Sequence, residues 1–113
     1  MRNKKRIIVQ GEAFNIAFFH VGLPVIDGEK YEITEQDILT FSIGRKNRKP
    51  ILTKTYPGEI VKEGEDNFFV YLTAEDTKRL PCLFYQMQLT VDLEGIGEEI
   101  YTLVKKELEV VAK

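Results

Sequence analysis

The sequence predicts an all-β fold, an antiparallel immunoglobulin-like β-sandwich with one short helical turn near residues 74–79. Three observations predict it. Leu83, Tyr85, Met87, Leu89, Val91 and Leu93 alternate with Phe84, Gln86, Gln88, Thr90 and Asp92, giving one apolar and one mostly polar face. Turn residues (Gly22, Pro24, Asp27-Gly28, Pro57-Gly58, Gly64, Gly95, Gly97) recur along the whole chain, at roughly the spacing of an antiparallel sandwich. The composition, 43% hydrophobic and 11% aromatic over 113 residues, is enough to fill the core of one domain, which at this length buries roughly 65% of its unfolded surface.

In chain order, residues 1–6 hold Arg2, Lys4, Lys5 and Arg6 and no acid. They read as a flexible basic arm, or as a strand that starts at Arg6. Phe14, Ile16 and Phe18 alternate with Ala13, Asn15, Ala17 and Phe19, a first strand. Leu39, Phe41 and Ile43 alternate with Ile38, Thr40 and Ser42, a second. Ile51 to Tyr56 mixes Thr and Ile as strands do, and Glu59 to Val61 continues it after Pro57-Gly58. Asn67 to Thr73 is apolar at both parities and predicts a central strand, buried on both sides or facing a partner. Thr73-Ala74-Glu75-Asp76 places a capping hydroxyl three residues before an acid, and Pro81 closes the helical turn that follows. Gly95 and Gly97 mark a hairpin after the longest strand. Beyond them Ile100, Leu103, Val104, Leu108 and Val111 fit a helical period, while Ile100, Thr102, Val104, Leu108 and Val110 fit a strand. The valines and Thr102 favour strand, and two strands are predicted, near 98–104 and 106–111.

The net charge of -2 hides a division. Besides the N-terminal patch, Arg45, Lys46, Arg48 and Lys49 form a second one without an acid. Outside the two, 8 bases face 18 acids. This excludes a strongly basic nucleic-acid binder, and no aromatic residue interleaves with the loop cations to stack on bases. The single cysteine, Cys82, excludes an intrachain disulfide and suits a reducing compartment. The apolar runs Ile7–Val9 and Ile16–Phe19 are too short for a signal peptide or a membrane span.

No residue set predicts a catalytic or metal centre. His20, the only histidine, reads as a strand-end residue. Cys82 reads as a small buried side chain at the start of the long strand. Asp92, Glu94 and Glu98 lack the spacing of a twelve-residue calcium loop. Gly95-Ile96-Gly97 lacks the lysine and the strand-to-helix setting of a phosphate loop. The expectation is a non-enzyme without cofactor or metal. Arg45, Lys46, Arg48 and Lys49 form a solvated hairpin loop that can meet an acidic partner, including a second copy of the chain. Phe69, Tyr71 and Tyr101 are the candidate interface aromatics, Phe69 sharing the position with its neighbour Phe68. The alternative is a carbohydrate-binding module with Tyr56, Tyr71 and Tyr101 as a stacking platform for a glycan.

Two stretches carry a family resemblance. Residues 31–43 (YEITEQDILTFSI) lead through an aspartate into an alternating strand. Residues 69–89 (FVYLTAEDTKRLPCLFYQMQL) run from a strand through Leu-Thr-x-x-Asp-Thr and Leu-Pro into a tyrosine-bearing alternating strand. Together with Thr102 and Leu108-Glu109-Val110, they resemble the N-terminal β-domain of phage baseplate upper proteins and short tail-associated proteins of Gram-positive prophages. The resemblance covers most of residues 12–111 and implies a β-sandwich with a structural role in a tail or baseplate, while the length makes residues 1–113 a single domain. Its partners would be copies of itself or other tail proteins. Asp76, Thr77 and Tyr85 would be fold-determining turn residues, and the location the virion, or the cytoplasm for a protein not encoded by a phage.

Overall fold

The computed structural model of the chain describes residues 6–93 and 100–113. The elements run β1 (Arg6–Val9), β2 (Phe14–Phe18), β3 (Val25–Ile26), β4 (Glu29–Lys30), β5 (Ile38–Gly44), β6 (Leu52–Tyr56), β7 (Ile60–Glu63), β8 (Asn67–Leu72), α1 (Ala74–Lys78), β9 (Phe84–Asp92) and β10 (Ile100–Val111). One sheet has the order β1-β10-β9-β5-β6, a second the order β2-β8-β7, and β3 and β4 form a small hairpin. The architecture is all-β and sandwich-like.

Alternation builds the core. Leu39, Phe41 and Ile43 on β5 and Tyr85, Met87, Leu89 and Val91 on β9 point inward, and all are buried. Ile16 and Phe18 on β2 and Phe68, Val70 and Leu72 on β8 meet them from the other sheet. The Phe18 and Phe41 rings, one from each sheet, sit 6.1 Å apart and tilted, within the range of favourable aromatic pairs. β8 is the central strand of its sheet, but only one of its faces is buried, and Tyr71 on the other face is 53% exposed. The strand is therefore not buried on both sides, and its outer face is exposed to solvent at Tyr71.

Three expectations need correction. The C-terminal segment is one strand, not two. Thr102 pairs with Thr90 and Val104 with Leu89, so Leu103 is an extra residue that kinks the strand without ending it. The sheet is not wholly antiparallel, because β1 lies parallel to β10, Arg6 opposite Leu108. A parallel pair needs a crossover, and here the crossover is the rest of the domain, so no local signal announces it. Of the two readings of residues 1–6, the strand that starts at Arg6 is the one seen at Arg6. Residues 1–5 of that arm, the Gly95–Gly97 hairpin turn, and Glu94 and Glu98 lie outside the described residues. Cys82 is exposed, and β9 starts two residues after it.

Two turns show why their residues are there. Asp27 and Gly28 both take positive φ (52° and 81°), the backbone of a tight two-residue hairpin between β3 and β4. Gly44 ends β5 where a Cβ would meet the Pro50 Cα at 3.0 Å, so a side chain there would push the neck of the 45–51 loop apart by a few tenths of an ångström.

Candidate functional site

Two surfaces carry the predicted interaction residues, and they lie on different sheets. The first is the outer face of β2-β8-β7. Val61, Phe69 and Ala17 form one cross-strand row, with Tyr71 opposite Asn15 in the next. Phe19, just past β2, packs edge-on to Phe69 with ring centroids 5.7 Å apart. Phe19, Val61 and Tyr71 are exposed and Phe69 and Ala17 are half-buried. Phe68 points the other way and is fully buried. Alternation along Asn67–Leu72 shows that one of the two phenylalanines faces outward. Phe19 and Val61 complete the patch, and only the strand register reveals them.

Tyr101 does not join this face. It lies on β10 opposite Val91 and packs against the core. Tyr56, at the end of β6, packs there too. The three tyrosines thus belong to two sheets, two of them packed inward, and do not form a common stacking platform.

The second surface is the basic loop. Arg45 to Ile51 connect β5 to β6 and are exposed. The Arg48 N–H donates to the Arg45 carbonyl at 3.1 Å, and Asn47 takes φ 63° at the tip, a left-handed conformation that asparagine tolerates better than most residues. Under the loop is a polar cleft of about 150 Å³ lined by Arg45, Lys46, Arg48, Ser42, Gln86, Gln88 and Lys105. Register explains the lining, since Ser42 pairs with Gln88 and Gln88 with Lys105. This row crosses the outer face of the five-stranded sheet. Lys105 is the member missed from sequence. It is 56 residues from the loop's last cation, Lys49, and arrives only through strand pairing. Lys49 itself does not line the cleft.

Asp76 and Thr77 act at α1, and Tyr85 acts at the turn that follows it. Thr73 caps the helix: its hydroxyl accepts the Asp76 N–H at 3.0 Å, and the Asp76 carboxylate accepts the Thr73 N–H at 2.8 Å. Thr77, fully buried, accepts the Gly11 N–H at 3.0 Å and donates to the Glu12 carbonyl at 2.8 Å. It thereby ties α1 to the turn between β1 and β2. The Tyr85 hydroxyl donates to the Pro81 carbonyl at 2.7 Å and fixes the entry into β9. Burial pushes the Tyr85 phenol up, Arg45 pulls it down and Cys82 adds a smaller upward push.

His20 ends β2's extension at φ 53°, with its side chain exposed and 3.9 Å from Asp66. Among the described residues no three His, Cys, Asp or Glu side chains gather as metal ligands. No helix among them is long and apolar enough to cross a membrane.

No protein-family model matches the chain, and no curated protein matches it.

Proposed function

We propose that this domain is a non-enzymatic structural component of a phage or prophage tail baseplate, working in the virion by protein–protein contact. The observation that carries the contact role is the outer face of β2-β8-β7. Phe19, Phe69, Val61 and Tyr71 form one apolar and aromatic patch on the outer face of this sheet. Water gains nothing from such a surface, and aromatic side chains of this kind are enriched in the cores of protein interfaces. The resemblance of residues 31–43 and 69–89 to baseplate upper proteins supplies the tail setting.

The test is co-expression with the proteins encoded beside its gene. The expected result is a stoichiometric complex with a tail protein that Tyr71→Ser and Phe69→Ser abolish while Phe84→Ser, on the other sheet, leaves it intact. A metabolic neighbourhood, or a complex indifferent to Tyr71 and Phe69, overturns the proposal.

A further inference from the structure

The two ends of β5 carry opposite charge. Residues 31–37, which lead into it, hold Glu32, Glu35 and Asp37 and no base. Residues 45–51, which leave it, hold Arg45, Lys46, Arg48 and Lys49 and no acid. Between them lie seven strand residues, about 20 Å at ~3.3 Å per residue. Asp37 is buried and accepts hydrogen bonds from the Tyr31 hydroxyl and the Thr34 N–H. Glu32 and Glu35 are exposed.

None of Arg45, Lys46, Arg48, Lys105, Glu32 and Glu35 makes an ion pair among the described residues. Glu107 borders the loop from β10, beside Arg45 and Lys46, and is likewise unpaired among the described residues. The basic end is a shaped receptor and not a bare loop. Its cleft adds Ser42, Gln86 and Gln88, neutral groups that hydrogen-bond a carboxylate, to guanidinium forks and an ammonium.

We infer that this cleft takes the Glu32–Glu35 turn of a second copy, joining copies end to end. The inference deepens the assembly role proposed above by naming one partner, and rests on it. Charge complementarity selects the occupant. A long polyanion meets repulsion from the acidic remainder of the chain, and no aromatic ring lines the cleft itself, Phe84 standing outside it on the far side of Arg45 and Lys46. A short acidic turn needs only the cleft itself. The contact joins unlike surfaces, so copies related by it form a ring or an open filament rather than a two-fold dimer.

The experiment is sedimentation velocity over a concentration series, at low ionic strength and at about 0.5 M salt, where screening shortens charge attraction to a few ångströms. One variant is Arg45→Glu with Arg48→Glu, the other Glu32→Lys with Glu35→Lys. All four residues are exposed, and circular dichroism checks that each variant folds. The wild-type protein is expected to associate at low salt and dissociate at high salt. Each variant alone is expected to remain monomeric. An equimolar mixture should associate again, because each variant's altered end matches the altered end of the other. Lys105→Glu alone should weaken wild-type association at least tenfold. Variants that associate like the wild type, or a mixture that stays monomeric, overturn the inference. So does a wild-type monomer at high concentration and low salt, including one whose cleft binds inorganic phosphate. That last result leaves the assembly role standing on the Tyr71 face, which the co-expression test reads separately.

Discussion

The Lys54 ammonium lies 2.9 Å from the Asp76 carboxylate, joining edge strand β6 of the larger sheet to the short helix that leaves β8 of the smaller one. Both side chains are largely buried, 14% and 11% exposed. Lys54 also stands 3.9 Å from Glu59 Oε2. An inward-pointing charge on an edge strand discourages another chain from adding to that edge. Here the charge is also used, because the same carboxylate caps α1.

Asp76→Ala should therefore cost more than the loss of a cap. It strands the Lys54 ammonium and removes the acceptor of the Thr73 N–H, a loss of about 2–3 kcal/mol. Thr73→Ala should cost about 1 kcal/mol. Urea unfolding of the two variants measures both. A cost for Asp76→Ala no larger than that for Glu75→Ala, an exposed first-turn acid, contradicts the pairing.

The same carboxylate gives a pH dependence. Burial alone raises the Asp76 carboxyl. The hydrogen bond from Lys54, those from the Thr73 backbone and hydroxyl, and the Lys54 charge outweigh it and hold the group below its ordinary range. A depressed folded-state value means that stability is fully present above the unfolded-state value, about 4, and is lost as pH falls through the lower folded-state value. Asp76→Asn should flatten the acid limb of a stability–pH profile. An unchanged acid limb contradicts the assignment.

Thr77→Val should destabilise the fold by about 1 kcal/mol, since it removes the hydroxyl that pairs with both the Gly11 N–H and the Glu12 carbonyl. Thr77→Ser keeps both bonds and should cost less than half as much. Equal losses would show that the methyl group matters and the hydroxyl does not.

Tyr85 gives the alkaline counterpart. Its phenol is raised chiefly by burial. Its contribution is thus complete below the unfolded-state value, about 10, and disappears as pH rises through the raised folded-state value. Tyr85→Phe should cost about 1 kcal/mol at neutral pH, through the bond to Pro81, and should remove part of the alkaline loss. A profile that keeps its alkaline limb assigns that loss to other groups.

What the sequence made legible was local. Period-two alternation placed β2, β5 and β9, and the Thr73–Asp76 spacing placed α1 with its cap. The C-terminal ambiguity has a physical cause. Leu103 is inserted between two strand phases, so Tyr101 faces inward at odd parity, while Leu108 and Val110 face inward at even parity. No single period fits both halves, and the helical period competes by default. The parallel pairing of β1 was invisible because its partner is about a hundred residues away. Both surfaces were only half legible for the same reason. The cations of the loop fall within five residues and the phenylalanine pair is adjacent in sequence, whereas Lys105, Phe19 and Val61 reach their places through register. Tyr101 was assigned outward because its aromatic character carries no information about which face it lines.

The most direct measurement is covalent footprinting of side chains, with carbene or hydroxyl radicals, on the free protein and on its assembled complex. Tyr71 and Phe19 should be modified in the free protein and protected severalfold in the assembly, with Ile7, exposed on the other sheet, as the reference. Equal modification of Tyr71 and Phe19 in both states would contradict the claim that this face is where the domain meets its partner.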